Sequence, residues 1–291
     1  MRVLLIGVDS SLGTALQAQL MRWGRHEVET STLSGGRWKS ERQAKKAVRR
    51  AKPDIIVDLR MIAAADGGEL IHEHDLERCH WLAKACQRND IAYLLTSSAR
   101  VYSGHQERAY RELDEADNQE TVAELLRKAE DYVRDSCDAH LILRLGPIFA
   151  PRGINVLTHM LGRLREGGEL VLDNHLWGCP VEAGDAARVV SALLDQLSAG
   201  AESWGTFHYC SSDATNCYEF AEVLLASASQ FSEFGPTAVT LEATPDDLPT
   251  LNRSLDCSLI RNHFAVKQVP WRGFVADTVK TYFALAGEED N

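Results

Sequence analysis

At 291 residues, with 45% hydrophobic and 25% charged side chains, the chain has the composition of an ordinary globular protein with ample material for a core. It suits one large or two intimately joined domains, and a net charge of −11 argues against a nucleic-acid partner, since phosphate neutralisation needs a basic face. No run of about eighteen apolar residues and no charged-then-apolar leader is present, so neither a membrane span nor a signal peptide is expected. The seven scattered cysteines (Cys79, Cys86, Cys137, Cys179, Cys210, Cys217, Cys257) read as reduced thiols of a cytoplasmic protein.

Arg2–Ile6 is a short apolar run, long enough for one buried strand, and Gly7 ends it. Leu12–Met21 has helical period and stops at Gly24. His26–Thr32 reads as a second strand and Ser40–Ala51 as a basic, solvated helix ended by Pro53. Asp54–Leu59 is apolar in its middle, as a parallel strand buried on both faces should be. A helix over Asp75–Gln87, a strand over Ile91–Ser97, a helix over Glu120–Ser136 and a strand over Leu141–Leu145 follow. Five rounds of strand and helix imply an α/β protein with a Rossmann-type, doubly wound parallel sheet.

From Gly146 the pattern changes. Helices are expected over Val156–Leu164, Asp185–Leu197, Tyr218–Ala228 and Phe274–Leu285. Strands are expected over Glu169–Leu172 and Thr206–Cys210, with a loop and edge strand over Pro236–Thr250. This divides the chain into a nucleotide-binding domain over 1–146, with strands returning from about 181–212, and a smaller α/β substrate lobe over 147–291.

The first turn is the clearest candidate site. Gly7, Ser10, Ser11, Leu12 and Gly13 lie between a strand and a helix N-terminus, where free amides and the helix dipole can hold a pyrophosphate. Ser10 stands where the middle glycine of Gly-x-x-Gly-x-x-Gly would be. Thr14 follows Gly13 where a kinase-type phosphate loop needs lysine, and no Gly-x-Ser-x-Gly elbow is present. No metal site is expected: Cys79 and Cys86 are spaced as small core residues, and His72 and His74 do not share a helical face.

Several longer segments are distinctive: PDIIVDLRMIAAAD (Pro53–Asp66), HDLERCHWLAKAC (His74–Cys86), LLTSSARVYSG (Leu94–Gly104), LILRLGPIFAPRGINVLTHML (Leu141–Leu161), GCPVEAGDAARVV (Gly178–Val190), GTFHYCSSDATNCYEFAEVL (Gly205–Leu224) and NRSLDCSLIRNHFAVKQVPW (Asn252–Trp271). In order and content they resemble the extended short-chain dehydrogenases, and within them the dTDP-4-dehydrorhamnose reductase-like proteins, over nearly the whole chain. The resemblance implies a nicotinamide cofactor, a nucleotide-linked sugar as small-molecule ligand, and either a homodimer or a regulatory protein partner. It also places Asp58 and Arg60 against the dinucleotide, and Asn155 and Arg253 near the sugar nucleotide. Arg60 either blocks the cofactor site or holds a phosphate. With Thr32 where an acidic ribose partner is expected, Arg37 or Lys39 tilts the choice of NADP or NAD toward NADPH.

The chemistry departs from the family's pattern. Hydride transfer to a sugar ketone needs a general acid, which the family supplies as a tyrosine four residues before a lysine on one helical face. Here the helix reads TVAELLRKAEDYV (Thr121–Val133): Glu124 stands four before Lys128 and Ala123 four before Arg127. Tyr132 would be displaced by about two turns, ~11–12 Å. Ser98 remains as the carbonyl's hydrogen-bond partner, with Lys128 near the ribose. The reading is therefore an NAD(P)- and/or sugar-nucleotide-binding protein with weak or absent reductase activity. The alternatives are an active NAD(P)H-dependent 4-keto sugar reductase and a non-catalytic regulatory or scaffolding subunit.

Overall fold

The computed structural model describes residues 1–67, 71–231, 239–244 and 248–289. The first half alternates β1 (Arg2–Ile6), α1 (Ser11–Trp23), β2 (Glu27–Ser31), α2 (Glu41–Ala51), β3 (Ile55–Asp58), α3 (Arg60–Gly67), α4 (Glu73–Gln87), β4 (Ala92–Ser98), α5 (Thr121–Ser136) and β5 (His140–Leu145). The second half adds β6 (Ile148–Phe149), α6 (Val156–Glu166), β7 (Gly168–Leu172), β8 (Leu176–Trp177), β9 (Val181–Glu182), α7 (Ala183–Ser198), β10 (Gly205–Tyr209), α8 (Cys217–Ala228), β11 (Val239–Ala243), β12 (Leu251–Asn252), α9 (Ser258–Phe264) and α10 (Arg272–Glu289).

The main sheet is six-stranded, in the order β10-β5-β4-β3-β1-β2, and every pair in it is parallel. Its inner strands are buried along nearly their whole length, which is why each carries an apolar stretch such as Val3–Ile6, Ile55–Val57 and Leu94–Leu95. Helices α1 and α7 pack together on one face, and α2, α4 and α5 on the other. The order reverses between β1 and β3, so the carboxyl ends of those two strands flank the crevice where open parallel sheets take their ligands.

Of the strands in the second half, only β10 joins this sheet; Val181–Glu182 pairs instead with Ile148–Phe149. The lobe has its own apolar cluster, built by Phe149, Leu161, Phe220, Leu224, Trp271 and Val279 from α6, α8, α10 and their connections. Helix α3 is not among the elements expected from the sequence; it starts two residues after the last residue of β3. The expected loop and edge strand over Pro236–Thr250 lies partly outside the described residues; the strand within it, β11, pairs with β7. Among the described residues no helix is long and apolar enough to cross a membrane, and no group of three or more His, Cys, Asp or Glu is placed to hold a metal.

Candidate functional site

Two cavities open at the carboxyl end of the sheet and share Asp66, Ile148, Ile154 and Asn155. The smaller, of about 230 Å³, lies at the N-terminus of α1. The larger, of about 760 Å³, lies between the sheet and the lobe. The larger falls inside the usual range for small-molecule sites and the smaller below it.

At the smaller cavity, Ser10, Ser11 and Leu12 form part of the wall, while Gly7 and Gly13 make the turn behind them. Gly7 adopts φ +90°, which favours glycine. Ser10 caps α1: its Oγ accepts from the Gly13 amide at 3.0 Å and donates to the Gly7 carbonyl at 2.7 Å. One amide that a phosphate could use is thereby taken. Ser11 Oγ donates to the Arg152 carbonyl at 3.0 Å, fastening the Pro151–Asn155 loop across the helix end.

Asp58 and Arg60 do not offer groups to this cavity. Asp58 is fully buried, and its carboxylate accepts from Arg60 Nε at 2.9 Å, Arg60 Nη2 at 2.6 Å and the Tyr93 hydroxyl at 2.7 Å. Burial alone would raise the Asp58 carboxyl, but the Arg60 guanidinium holds it below the ordinary carboxylate value. Of the two expectations for Arg60, holding a phosphate is therefore not met, because its charge is spent on Asp58. Arg37 is exposed in the loop after β2, outside both cavities.

The larger cavity mixes apolar walls (Ile154, Val156, Leu176, Trp177, Phe220) with a few charged groups. Ser98 ends β4 on its wall, buried, with Oγ accepting from the Arg100 amide at 3.2 Å. Arg253 Nη2 donates to Glu120 Oε1 at 2.9 Å, and Arg100 Nη2 to Glu120 Oε2 at 3.3 Å. Two guanidiniums thus share one carboxylate, leaving a net positive charge. Asn155 lines both cavities but is not available to a ligand. Its Oδ1 accepts from Ala150, Leu157 and Thr158, and its Nδ2 donates to the Arg152 and Gly153 carbonyls, capping α6 and shaping the loop before it.

Lys128 is exposed on α5, whose opposite face buries Ala123, Leu126, Ala129 and Val133 against the sheet; it is outside the cavity that Ser98 lines. Tyr132 packs on His80, with ring centres 4.7 Å apart. Tyr102 is buried and its hydroxyl meets Arg144 and His208. Among the described residues no tyrosine or lysine lines the larger cavity.

Asp66, Arg100 and Glu120 are wall residues that sequence reasoning passes over. Asp66 sits where the cavities meet; burial pushes its carboxyl up to about 7, against the pull of the Ile148 amide and of Arg100. Folding therefore favours its protonated form. The resulting penalty is absent below the ordinary value of 3.8, grows as pH rises, and is complete above about 7. Asp66→Asn is thus expected to be the more stable protein at pH 8, by on the order of 1–2 kcal/mol after allowing for solvent at the cavity mouth. Melting curves across pH should show that gap closing by about pH 4. A constant gap would mean that Asp66 carries no such strain.

A family profile described as the RmlD substrate binding domain matches residues 1–284. The dTDP-4-dehydrorhamnose reductase of Aggregatibacter actinomycetemcomitans is 23% identical over 281 residues, 93% of this chain and 96% of that one. The dTDP-4-dehydrorhamnose reductase of Bacillus anthracis, solved in complex with NADP, superposes with a TM-score of 0.78 at 17% identity, covering 95% of this chain and 98% of that one. A dTDP-glucose 4,6-dehydratase from Streptomyces venezuelae, solved with NAD, gives 0.78 at 17%, covering 99% and 98%. The resemblance drawn from the motifs and the α/β architecture are both borne out, and nicotinamide cofactors accompany these solved neighbours. The chain belongs to the RmlD substrate binding domain family.

Proposed function

We propose that this protein binds a nucleotide-linked sugar in the larger cavity and does not reduce it by tyrosine–lysine chemistry. The observation that carries this reading is the Arg100–Glu120–Arg253 cluster on a mostly apolar wall. A diphosphate needs cationic donors, and two guanidiniums held by one carboxylate supply them with an excess positive charge already oriented. The apolar wall around Trp177 and Phe220 suits a base or a sugar face. The relatives named as reductases of dTDP-4-dehydrorhamnose support the ligand class.

Reduction would need a proton delivered to the carbonyl oxygen as hydride arrives. Ser98 can donate a hydrogen bond there, but among the described residues no tyrosine hydroxyl or ammonium stands on the wall, where Asp66 and His159 are protonatable groups instead; loss of the tyrosine acid costs about 10²–10⁴ in rate. A ligand-binding role in regulation or scaffolding, in the cytoplasm, is the reading that follows.

Calorimetric titration with dTDP tests it. Saturable binding is expected, weakened about 10–100-fold in Arg253→Ala, the loss typical of charge-assisted hydrogen bonds. Absence of dTDP binding at millimolar concentration, or equal affinity in Arg253→Ala, would sink the assignment. Turnover of a dTDP-4-keto sugar with NADPH at rates ordinary for enzymes, about 1–10³ per second, would overturn the non-reducing half.

A further inference from the structure

We infer that the nucleotide crevice between β1 and β3 is closed by the protein's own side chains, so the adenosine half of a dinucleotide has no seat. In sheets of this kind the pyrophosphate lies at the N-terminus of the first helix and the adenosine extends toward the end of β2. In this chain three contacts occupy that path.

The first is Arg60. It leaves the carboxyl end of β3 and is only 5% exposed, with both Nε and Nη2 on Asp58. Its Nη1 donates to the Gly36 carbonyl at 3.3 Å, in the loop that follows β2, and its guanidinium carbon lies 5.9 Å from the centre of the Trp38 ring. The side chain therefore spans the crevice from the β3 side to the β2 side. Arg78 Nε donates to the Trp38 carbonyl at 3.0 Å and pairs with Asp75, fixing the loop from the α4 side.

The second is the loop itself. A Cβ on Gly36 would fall 2.8 Å from Ile6 Cγ2 and 3.4 Å from Arg60 Cδ, so this loop lies directly on the end of β1 and on Arg60. Leu33 Cδ2 would be 3.1 Å from a Cβ on Gly7, and the Leu33 amide donates to Asp9 Oδ1 at 2.6 Å. The turn after β1 and the turn after β2 are thereby tied together across the route a ribose would take.

The third is the phosphate end. The Pro151–Asn155 loop lies against Ser11: a Cβ on Gly153 would be 2.8 Å from Ser11 Oγ. What remains is the cavity of about 230 Å³, whose wall among the described residues carries the carboxyl groups of Asp9 and Asp66 and no lysine, arginine or histidine. Two phosphates there would meet two acids and no described cation. The family's cofactor thus does not fit this chain, although the glycine turn that serves it is kept. This inference stands apart from the sugar-nucleotide reading, because the larger cavity lies on the other side of Asp66 and Ile148 and owes nothing to Arg60.

The test is titration of the purified wild-type chain with NADPH, NADH and AMP to about 1 mM, followed by calorimetry and repeated with saturating dTDP. The expected result is no binding, or binding that dTDP displaces and that belongs to the larger cavity. Saturable binding of any of the three that dTDP does not displace overturns the proposal. The double variant Asp58→Asn/Arg60→Ala removes both charges together, and its fold is checked by circular dichroism and melting. A folded variant is expected to gain at least about tenfold in NADPH affinity. A folded variant with no gain overturns Arg60 as the closing group; if it does not fold, the wild-type titration decides alone.

Discussion

Arg144→Met is expected to lower the stability of the fold by about 3–5 kcal/mol, the usual loss when one partner of a buried ion pair is removed. Arg144 projects from β5 with its side chain 5% exposed, and Glu130 projects from α5 at 1%. Nε and Nη2 of the arginine each meet one carboxylate oxygen, and Arg134 adds a further bond to Glu130 at 3.0 Å. Burial alone would raise the Glu130 carboxyl, but Arg144 holds it below its ordinary value. In the variant an acid with far less compensation stays buried beside Tyr102 and His208. Chemical unfolding at pH 7 should show the loss. Its pH dependence identifies the cause: a carboxyl with a depressed folded-state value stabilises above its unfolded value and loses that contribution as pH falls through the folded one. The wild-type advantage should therefore shrink as pH falls: without Arg144, burial raises the Glu130 carboxyl above its ordinary value, so the variant's penalty is relieved first, and the wild type's own gain is then lost through its depressed folded-state value. The double variant Glu130→Leu/Arg144→Met should recover much of the loss, since the charge is removed with its partner. A single-variant loss under about 1 kcal/mol would show that the pair is dispensable.

That pair ties the helix which lacks the family's tyrosine to the sheet, and it explains how α5 keeps its place without catalytic residues. Its contact face needs only Ala123, Leu126, Ala129 and Val133 for packing and Glu130 for Arg144. Glu124 and Lys128 stand outside that face, exposed to solvent, and Tyr132 lies against His80. The missing Tyr-x-x-x-Lys was legible in the sequence because it is a local pattern, four residues apart on one helix. The parallel strands were legible for a similar reason: Ile55–Asp58 and Ala92–Ser98 are buried on both faces, and each opens with an apolar stretch before its polar carboxyl end.

What sequence left open depends on contacts between distant elements. The cluster in the larger cavity joins the turn after β4, the residue before α5 and the end of β12, and no spacing connects positions 100, 120 and 253. The two-residue strands β6, β8, β9 and β12 are too short to show a period. Arg60 had two readings, and its partner decided between them. Asp58 ends a buried strand two residues earlier, and Arg60 at the start of α3 turns its guanidinium back onto that carboxylate. A buried acid followed at that spacing by an arginine was the signal available for an internal pair. The resemblance makes Asn155 a ligand contact, but an asparagine followed by a helical period is equally an N-cap, which is the role its side-chain amide fills.

Gly13→Ala is expected to be strongly damaging for the addition of a single methyl. A Cβ at Gly13 would lie 2.0 Å from the Gly7 carbonyl oxygen and 2.8 Å from both Val8 C and Cα. All three neighbours are backbone, so no rotamer change relieves the clash. Helix α1 would have to move off the end of β1, and that motion strains three bonds at once. These are Ser10 Oγ to the Gly13 amide, Ser10 Oγ to the Gly7 carbonyl, and the Gly7 amide to the Ser31 carbonyl at 2.8 Å. Overpacking ordinarily costs about 1–3 kcal/mol. With an immovable backbone on the far side the upper end or more applies here, so melting should fall by on the order of 10 °C or the variant should not accumulate folded. Gly162→Ala is the control with the opposite sign. It lies inside α6, no described atom beyond its chain neighbours and its own helix backbone comes within 4 Å of the added Cβ, and removing a helical glycine should stabilise by up to about 1 kcal/mol. Equal effects from the two would mean that the glycine after Leu12 is a matter of helix propensity. Opposite effects would show that it is there to let α1 sit on β1, a structural duty that persists with the adenosine seat filled. On that account Gly7 and Gly13 remain because the sheet needs them, and their presence is no measure of whether a dinucleotide binds.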